Sequence, residues 1–432
     1  MNRKAVAKRL CSLCCLSFLL IGCTSADNSD RVTDDSPIVL KFWGGVPKEA
    51  GPQAVIDLWN SKHPDVQVDY MRYSNDDNGN LRLDTALLNE TDVDMFVNYF
   101  SYNYKQRVKM GLTTDLASID PDYDVEEKVG SEAEEWKVDG QYHAMPTKKN
   151  FYFILLNKDL LKEKGLPIPA DWSWKELRRY AEQLSTKDRW GFVQYDFVLP
   201  YPIDGTLGEN GSIKSDGTSN FDHIAVSKHL KLLYDMMYKD KSMPALPEQL
   251  LKKMPIDMQF LEGKAAMLFG GEWVLRYVNS NKIAGTPSFD VAFAPIPKMS
   301  EDQTDFRYIG GVGDAISINA NSRYKEEAME FIKWYVDEGM YAMARGGRLP
   351  ASKDADLEKA LHLLIGAHER FDNQSLERII NGDLPTMQLT LDQEVIEMRK
   401  EAFEHYFSKS ATLEETLERL TARHNAYLKT AD

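Results

Sequence analysis

The sequence predicts an α/β protein whose mainly parallel sheets are flanked by helices. Three observations lead to that class. β-rich and helical segments alternate through the first hundred residues, and a second alternating block opens near residue 150. The 432 residues are 43% apolar and 28% charged, a globular composition, and the length suits two to three structural units at about 150 residues each.

The elements follow in order. Residues 38–43 are β-rich and run into the turn Gly44-Gly45. Residues 53–63 carry Val55, Ile56, Leu58 and Trp59 at helical spacing and stop before Pro64. Residues 66–70 and 93–97 give two further strands. This β-α-β order implies parallel strands under helices, and ligands of such sheets bind beyond the carboxyl ends of the strands. Those ends are Trp43-Gly44-Gly45 and Asn98-Tyr99-Phe100-Ser101. Both mix aromatic and polar groups, which suits a ligand with apolar faces and hydroxyls.

In the second block, residues 151–156 read as a buried strand, and Asn157 leads into a short helix ended by Gly165. Ser173 and Glu176 form a capping box for a helix over 174–184. Residues 191–195 are a strand, 204–220 a Gly-, Ser- and Asp-rich loop, and 223–238 a helix. Strands are expected at 263–269, ending in Gly270-Gly271-Glu272-Trp273, at 290–294 and at 315–318. From Tyr324 the chain is almost wholly helical, and Thr412 with Glu415 caps the last amphipathic helix. No repeat of 20–50 residues is present, which excludes solenoids and propellers.

Charge and cysteine usage narrow the function. Lys and Arg number 52 against 67 Asp and Glu, a net charge of −15, so no basic surface is available for nucleic acid. The four cysteines are Cys11, Cys14, Cys15 and Cys23, so no later residue can supply a thiolate or a disulfide. Arg3, Lys4, Lys8 and Arg9 precede twelve uncharged, mostly apolar residues, 10–21. This is a signal-peptide layout, shorter than the roughly 20 apolar residues of a spanning helix. Leu20-Ile21-Gly22-Cys23 resembles the lipobox of bacterial lipoproteins, which implies cleavage after residue 22 and lipid on the Cys23 sulfur. The remaining 410 residues then carry −19, because residues 1–22 hold four basic and no acidic side chains. Residues 23–36 are small and polar, a flexible tether.

Several strings, in this order, resemble the sugar-binding branch of bacterial ABC-transporter solute-binding proteins, the class of maltose-binding protein. They are Leu156-Asn157-Lys158-Asp159-Leu160-Leu161; Gly165-Leu166-Pro167 near Trp172 and Trp174; Gly263-Lys264-Ala265-Ala266-Met267 before Gly-Glu-Trp; Ala294-Pro295-Ile296-Pro297; Gly310-Gly311; Glu326-Glu327-Ala328 before Phe331-Ile332; and Leu349-Pro350-Ala351. The likeness runs from about Val39 to Leu428. It implies a type II two-lobe periplasmic-binding-protein fold, with lobes that close on ligand about a hinge. Crossings between lobes are expected near 145–149, 295–298 and 346–350. The N-lobe is then 37–147 with 298–347, and the C-lobe 148–297 with 348–432. The implied function is a monomeric, lipid-anchored extracytoplasmic receptor that delivers a carbohydrate to ABC permease subunits, with no cofactor and no metal. The alternatives are a binding protein for a non-sugar ligand or a sensor, and, more remotely, a surface carbohydrate-active enzyme.

Aromatic rings match the C–H faces of a sugar, and Asp, Glu, Asn and Arg match its hydroxyls. Trp273, at a strand end, is the leading candidate, because the family stacks a tryptophan on sugar after a string of this kind. Glu272 stands where many relatives have proline. Trp43, Asn98, Tyr99 and Tyr102 lie at the N-lobe strand ends. Asn150 and Tyr152 lie where the chain enters the C-lobe, and Trp190 and Tyr195 flank a C-lobe strand. Gly311, Asp314 and Arg348 lie beside a Gly-Gly turn and a crossing. Trp59, Trp172, Trp174, Trp334 and Tyr335 are assigned to packing. No His-Glu-x-x-His, Walker loop or Gly-x-Ser-x-Gly elbow is present. The acidic string 75–79 lacks the ligand alternation of a calcium loop and reads as a solvated turn.

Overall fold

Side-chain alternation with period two builds two sheets, each buried on both faces. The computed structural model describes residues 36–89, 92–279, 287–365, 369–382, 384–389 and 391–430. The leader 1–22, Cys23 and the tether up to residue 35 lie outside the described residues. The folded unit begins at Pro37.

The N-lobe sheet contains β1 (Ile38–Gly44), β2 (Val66–Arg72), β3 (Met95–Asn98) and a late strand, β8 (Ala315–Ile318), in the order β8-β3-β1-β2. β1 runs parallel to β2 and β3, and β8 runs antiparallel to β3. Leu40, Phe42, Val68, Tyr70, Met95 and Val97 face one core with Trp59, Phe331 and Tyr335. Trp43 and Phe96, one residue out of phase, face a second, with Tyr73 and Leu83.

The C-lobe sheet contains β4 (Tyr152–Asn157), β5 (Val193–Gln194), β6 (Met267–Gly271) and β7 (Val291–Ala294), in the order β7-β4-β6-β5. β4 is antiparallel to both β6 and β7, and only β5 and β6 pair in parallel. The expectation of a mainly parallel sheet therefore holds for the N-lobe and not for the C-lobe. β4 is the first strand to enter this sheet from the hinge, and β6 and β7, which come later in the chain, flank it running the opposite way. Ile154 and Leu156 face one core, and Phe153 and Leu155 the other.

Local signals are realised closely. Asn157 caps the helix Lys158–Lys164 by accepting from Leu160 N, and Gly165 ends it at φ +65°. The boxes Ser173/Glu176 and Thr412/Glu415 are both formed. Trp172 and Trp174 are buried and donate Nε1 to the carbonyls of Pro295 and Pro297. The loop expected at 204–220 starts later, because Tyr201–Leu207 is helical and buries Asp204 against Arg399.

Three chain segments lie side by side between the sheets. Lys148–Lys149 pairs antiparallel with Val312–Gly313, Lys149 N donates to Leu349 O at 3.0 Å, and Asn150 N donates to Gly311 O at 2.9 Å. Residues 148–150, 310–313 and 348–350 are thereby brought together between the sheets. Trp174 N donates to Lys298 O, and Phe306 and Ile309 pack in the same core as Ile154 and Leu156.

Leu156 is wholly buried in the larger C-lobe core. Leu156→Ala is expected to lower unfolding free energy by about 2–5 kcal/mol in urea denaturation, with the far-UV spectrum retained.

Candidate functional site

A cleft of about 650 Å³ opens between the two sheets and across the hinge, within the usual size of small-molecule sites, roughly 300–1,000 Å³.

The C-lobe wall is aromatic. Trp273 follows β6 in a single tight turn. A Cβ on Gly271 would lie 2.1 Å from the Trp273 ring, so glycine is required for the indole to lie back over the strand end. Tyr152 sits opposite Gly271 on β4 and meets the indole edge-on, centroids 5.6 Å apart at 71°. Tyr195 and Phe197 approach the same indole at 5.9 and 5.7 Å, and Tyr201 packs edge-on against Tyr152 at 5.0 Å. Trp273 is half-buried, held by these rings.

The N-lobe wall comes from the carboxyl end of β3. Tyr99 Oη accepts the Gly45 N–H at 2.6 Å, tying this end to that of β1. Phe100 and Tyr102 stack at 5.3 Å and 20°. Burial, with Asp77 and Glu397 nearby, pushes the Tyr102 hydroxyl up to about 12, and burial raises Tyr201 likewise to about 12. Both stay neutral hydroxyls, able to donate and accept, across physiological pH.

The floor is charged. Lys148 pairs with Glu272 and lies 3.8 Å from Asp314, and it donates to Asn150 Oδ1 at 2.7 Å. Arg348 Nε donates to Asp314 Oδ2 at 2.7 Å. Burial works against the Arg348 charge, but Asp314, Tyr99 and Glu272 together outweigh it and hold the guanidinium above its ordinary value. Its Nη1 is buried with no partner among the described residues. Asp314 adopts φ +48°, the left-handed region, which turns its carboxylate back to the hinge. The cleft is completed by the C-terminal helix Gln393–Phe407, which presents Glu397, Lys400 and Glu404. Gln106 of the N-lobe donates to Gln393 Oε1 at 2.6 Å, a hydrogen bond between the lobes.

Comparison with known proteins fits this geometry. Residues 44–342 match the family profile of the bacterial extracellular solute-binding protein. The chain belongs to that family. Among curated relatives, the galactooligosaccharide-binding protein of Bacillus subtilis is 24% identical over 210 residues, covering 46% of this chain and 47% of that one. The chain spans about half the length of the curated relatives it matches. Among solved structures, an ABC substrate-binding protein from Listeria monocytogenes in complex with cycloalternan superposes with a TM-score of 0.75 at 18% identity, covering 91% of this chain and 99% of that one. UgpB from Mycobacterium tuberculosis, in complex with glycerophosphocholine, gives 0.74 at 18%, covering 91% and 99%. These likenesses establish the type II two-lobe fold.

In this solute-binding protein, nine of the thirteen anticipated residues line the cleft: Tyr99, Tyr102, Asn150, Tyr152, Tyr195, Glu272, Trp273, Asp314 and Arg348. Glu272 does not face water; it is 2% exposed and spent on Lys148 and the Phe151 N–H. Four do not line it. Trp43 points to the opposite face of β1 from Phe42, under Arg82. Asn98 is fully buried, donating to Ala315 O and Ser317 Oγ and accepting from Arg107. Trp190 packs beneath the C-lobe sheet. Gly311, at φ +89°, serves the hinge, where its carbonyl accepts from Asn150 N. The acidic string 75–79 is a helix N-cap: Asp76 accepts from Gly79 N, and Asn75 and Asp77 reach the cleft rim.

Sequence reading missed Phe197, Tyr201, Arg276, Tyr277, Glu135, Lys148 and the whole C-terminal helix face. Phe197 and Tyr277 lie two and four residues from Tyr195 and Trp273, a usable signal. The helix face arrives through tertiary packing and leaves no local mark.

Asn98→Ala strips a buried partner from Arg107 and is expected to cost about 1–3 kcal/mol of stability. A solvated cleft residue replaced by alanine would leave the denaturation midpoint unmoved, so the measurement separates the two placements.

Proposed function

We propose that this protein captures a sugar or oligosaccharide between its lobes and delivers it to an ABC import permease from the outer face of a membrane. The supporting observation is the cluster of Trp273, Tyr152, Tyr195 and Phe197 on one wall, set against neutral tyrosine hydroxyls and hinge charges. Flat rings of this size match the C–H faces of a pyranose with little entropy to lose. The fold lets such contacts close the lobes, and closure is the signal a permease reads. The relative named for galactooligosaccharide and the neighbour solved with cycloalternan point to the same ligand class. Membrane attachment is assigned to lipid on Cys23, because Leu20-Ile21-Gly22-Cys23 resembles the lipobox of bacterial lipoproteins.

Two outcomes are expected. In calorimetric titrations with a panel of oligosaccharides, the wild type binds at least one without turnover. Trp273→Ala weakens that binding at least 100-fold while its melting curve stays cooperative; equal affinity would remove Trp273 from the site. In cell fractionation, Cys23→Ser moves the protein from membrane to soluble fraction, and continued membrane retention would count against lipidation.

A further inference from the structure

Five carboxylates are buried in the described residues: Glu135, Asp204, Asp235, Glu272 and Asp314. Four are held by a cation in close contact. Asp204 has Arg399 at 2.9 Å, Asp235 has Lys239 at 2.7 Å, Glu272 has Lys148, and Asp314 has Arg348 at 2.7 Å. Glu135 is the exception. Its side chain is 3% exposed, Lys105 Nζ stands off at 4.0 Å, and the Ser101 hydroxyl is the one hydrogen-bond donor near its carboxylate among the described residues. A dry carboxylate with a single hydroxyl donor and a distant cation is costly to keep. Glu135 also lines the ligand cleft, beside Ser101 and Tyr102.

We propose that Glu135 is a ligand contact that completes its own hydrogen bonding with sugar: its two oxygens accept the hydrogens of two neighbouring hydroxyls on a unit laid beside Tyr102. The inference rests on the carbohydrate reading above and assigns it a specificity residue on the N-lobe, facing the aromatic wall of the C-lobe. A carboxylate accepting two hydroxyl hydrogens forms charge-assisted bonds that a ligand lacking either hydroxyl cannot make. The free protein keeps the site poised, because burial pushes the Glu135 carboxyl up to about 7 despite Lys105 and the Ser101 hydroxyl. The charged groups turned toward it are Lys105, on the helix that follows β3, and Asp392, at the start of the C-terminal helix. Hydroxyl donors favour the ionised form, so ligand binding expels a proton below about pH 7, and affinity rises with pH until the free carboxyl is ionised.

The test is calorimetric titration of the full chain with maltotriose, xylotriose, cellotriose and raffinose at pH 5.5 and 8.0, using wild type and Glu135→Gln. For the trisaccharide bound best, wild type is expected to bind about 10-fold more tightly at pH 8.0 than at 5.5. Glu135→Gln binds at least 10-fold more weakly than wild type at pH 8.0 and loses the pH dependence. Its ligand-free melting temperature at pH 8.0 is equal or higher, because no buried charge remains. Wild-type affinity in Glu135→Gln, or an unchanged pH profile, overturns the assignment of Glu135 and leaves the carbohydrate reading standing. Binding of none of the four by wild type overturns both.

Discussion

Lys148 is held between Glu272 of the C-lobe and Asp314 of the N-lobe, and the site is organised around that contact. Side-chain exposures of 7%, 3% and 11% put all three charges out of water, and Arg348 balances Asp314 from the third crossing at 2.7 Å. Two cations meet two anions, each on a different segment. A buried set of this kind adds little net stability, but removing one member strands the rest at a cost of about 3–5 kcal/mol. It fixes where the segments cross and which way they face. The left-handed Asp314, the glycine at 311 and the short pairing of Lys148–Lys149 with Val312–Gly313 follow from bringing these groups together.

From that hinge the two walls diverge in character. β4 leaves it as the central antiparallel strand of the C-lobe and carries Tyr152 opposite Gly271, where the missing side chain admits Trp273. The parallel strands of the N-lobe end instead in Tyr99, Phe100 and Tyr102, with hydroxyls among the rings. One wall offers apolar area, the other offers hydrogen bonds, and the hinge sets how they approach. A ring with hydroxyls at its equator meets both demands at once.

Much of this was legible in the sequence where the signal is local. Asn157, Ser173 and Thr412 announced their caps because a cap needs only its own first turn. Trp273 was legible because Gly-Gly before it marks a strand end with room above. Trp43 was not, since being one residue out of phase sends its ring to the far side of β1. Asn98 looked like a polar strand end and is instead the partner of a buried arginine, a contact set by Arg107 nine residues on and by β8, over two hundred residues away. Phe306 and Ile309 join the larger C-lobe core by packing alone, which no local string signals. Glu135 and Lys148 were missed for the same reason: nothing in their neighbours in sequence tells that one charge is closely paired and the other only loosely held.

The central claim is that ligand contacts made on two walls draw the lobes together about the Lys148 hinge. Small-angle X-ray scattering of the protein alone, and of the protein saturated with a ligand identified by the titrations, tests this most directly. The account predicts a smaller radius of gyration in the saturated sample. A radius unchanged at saturation would contradict it.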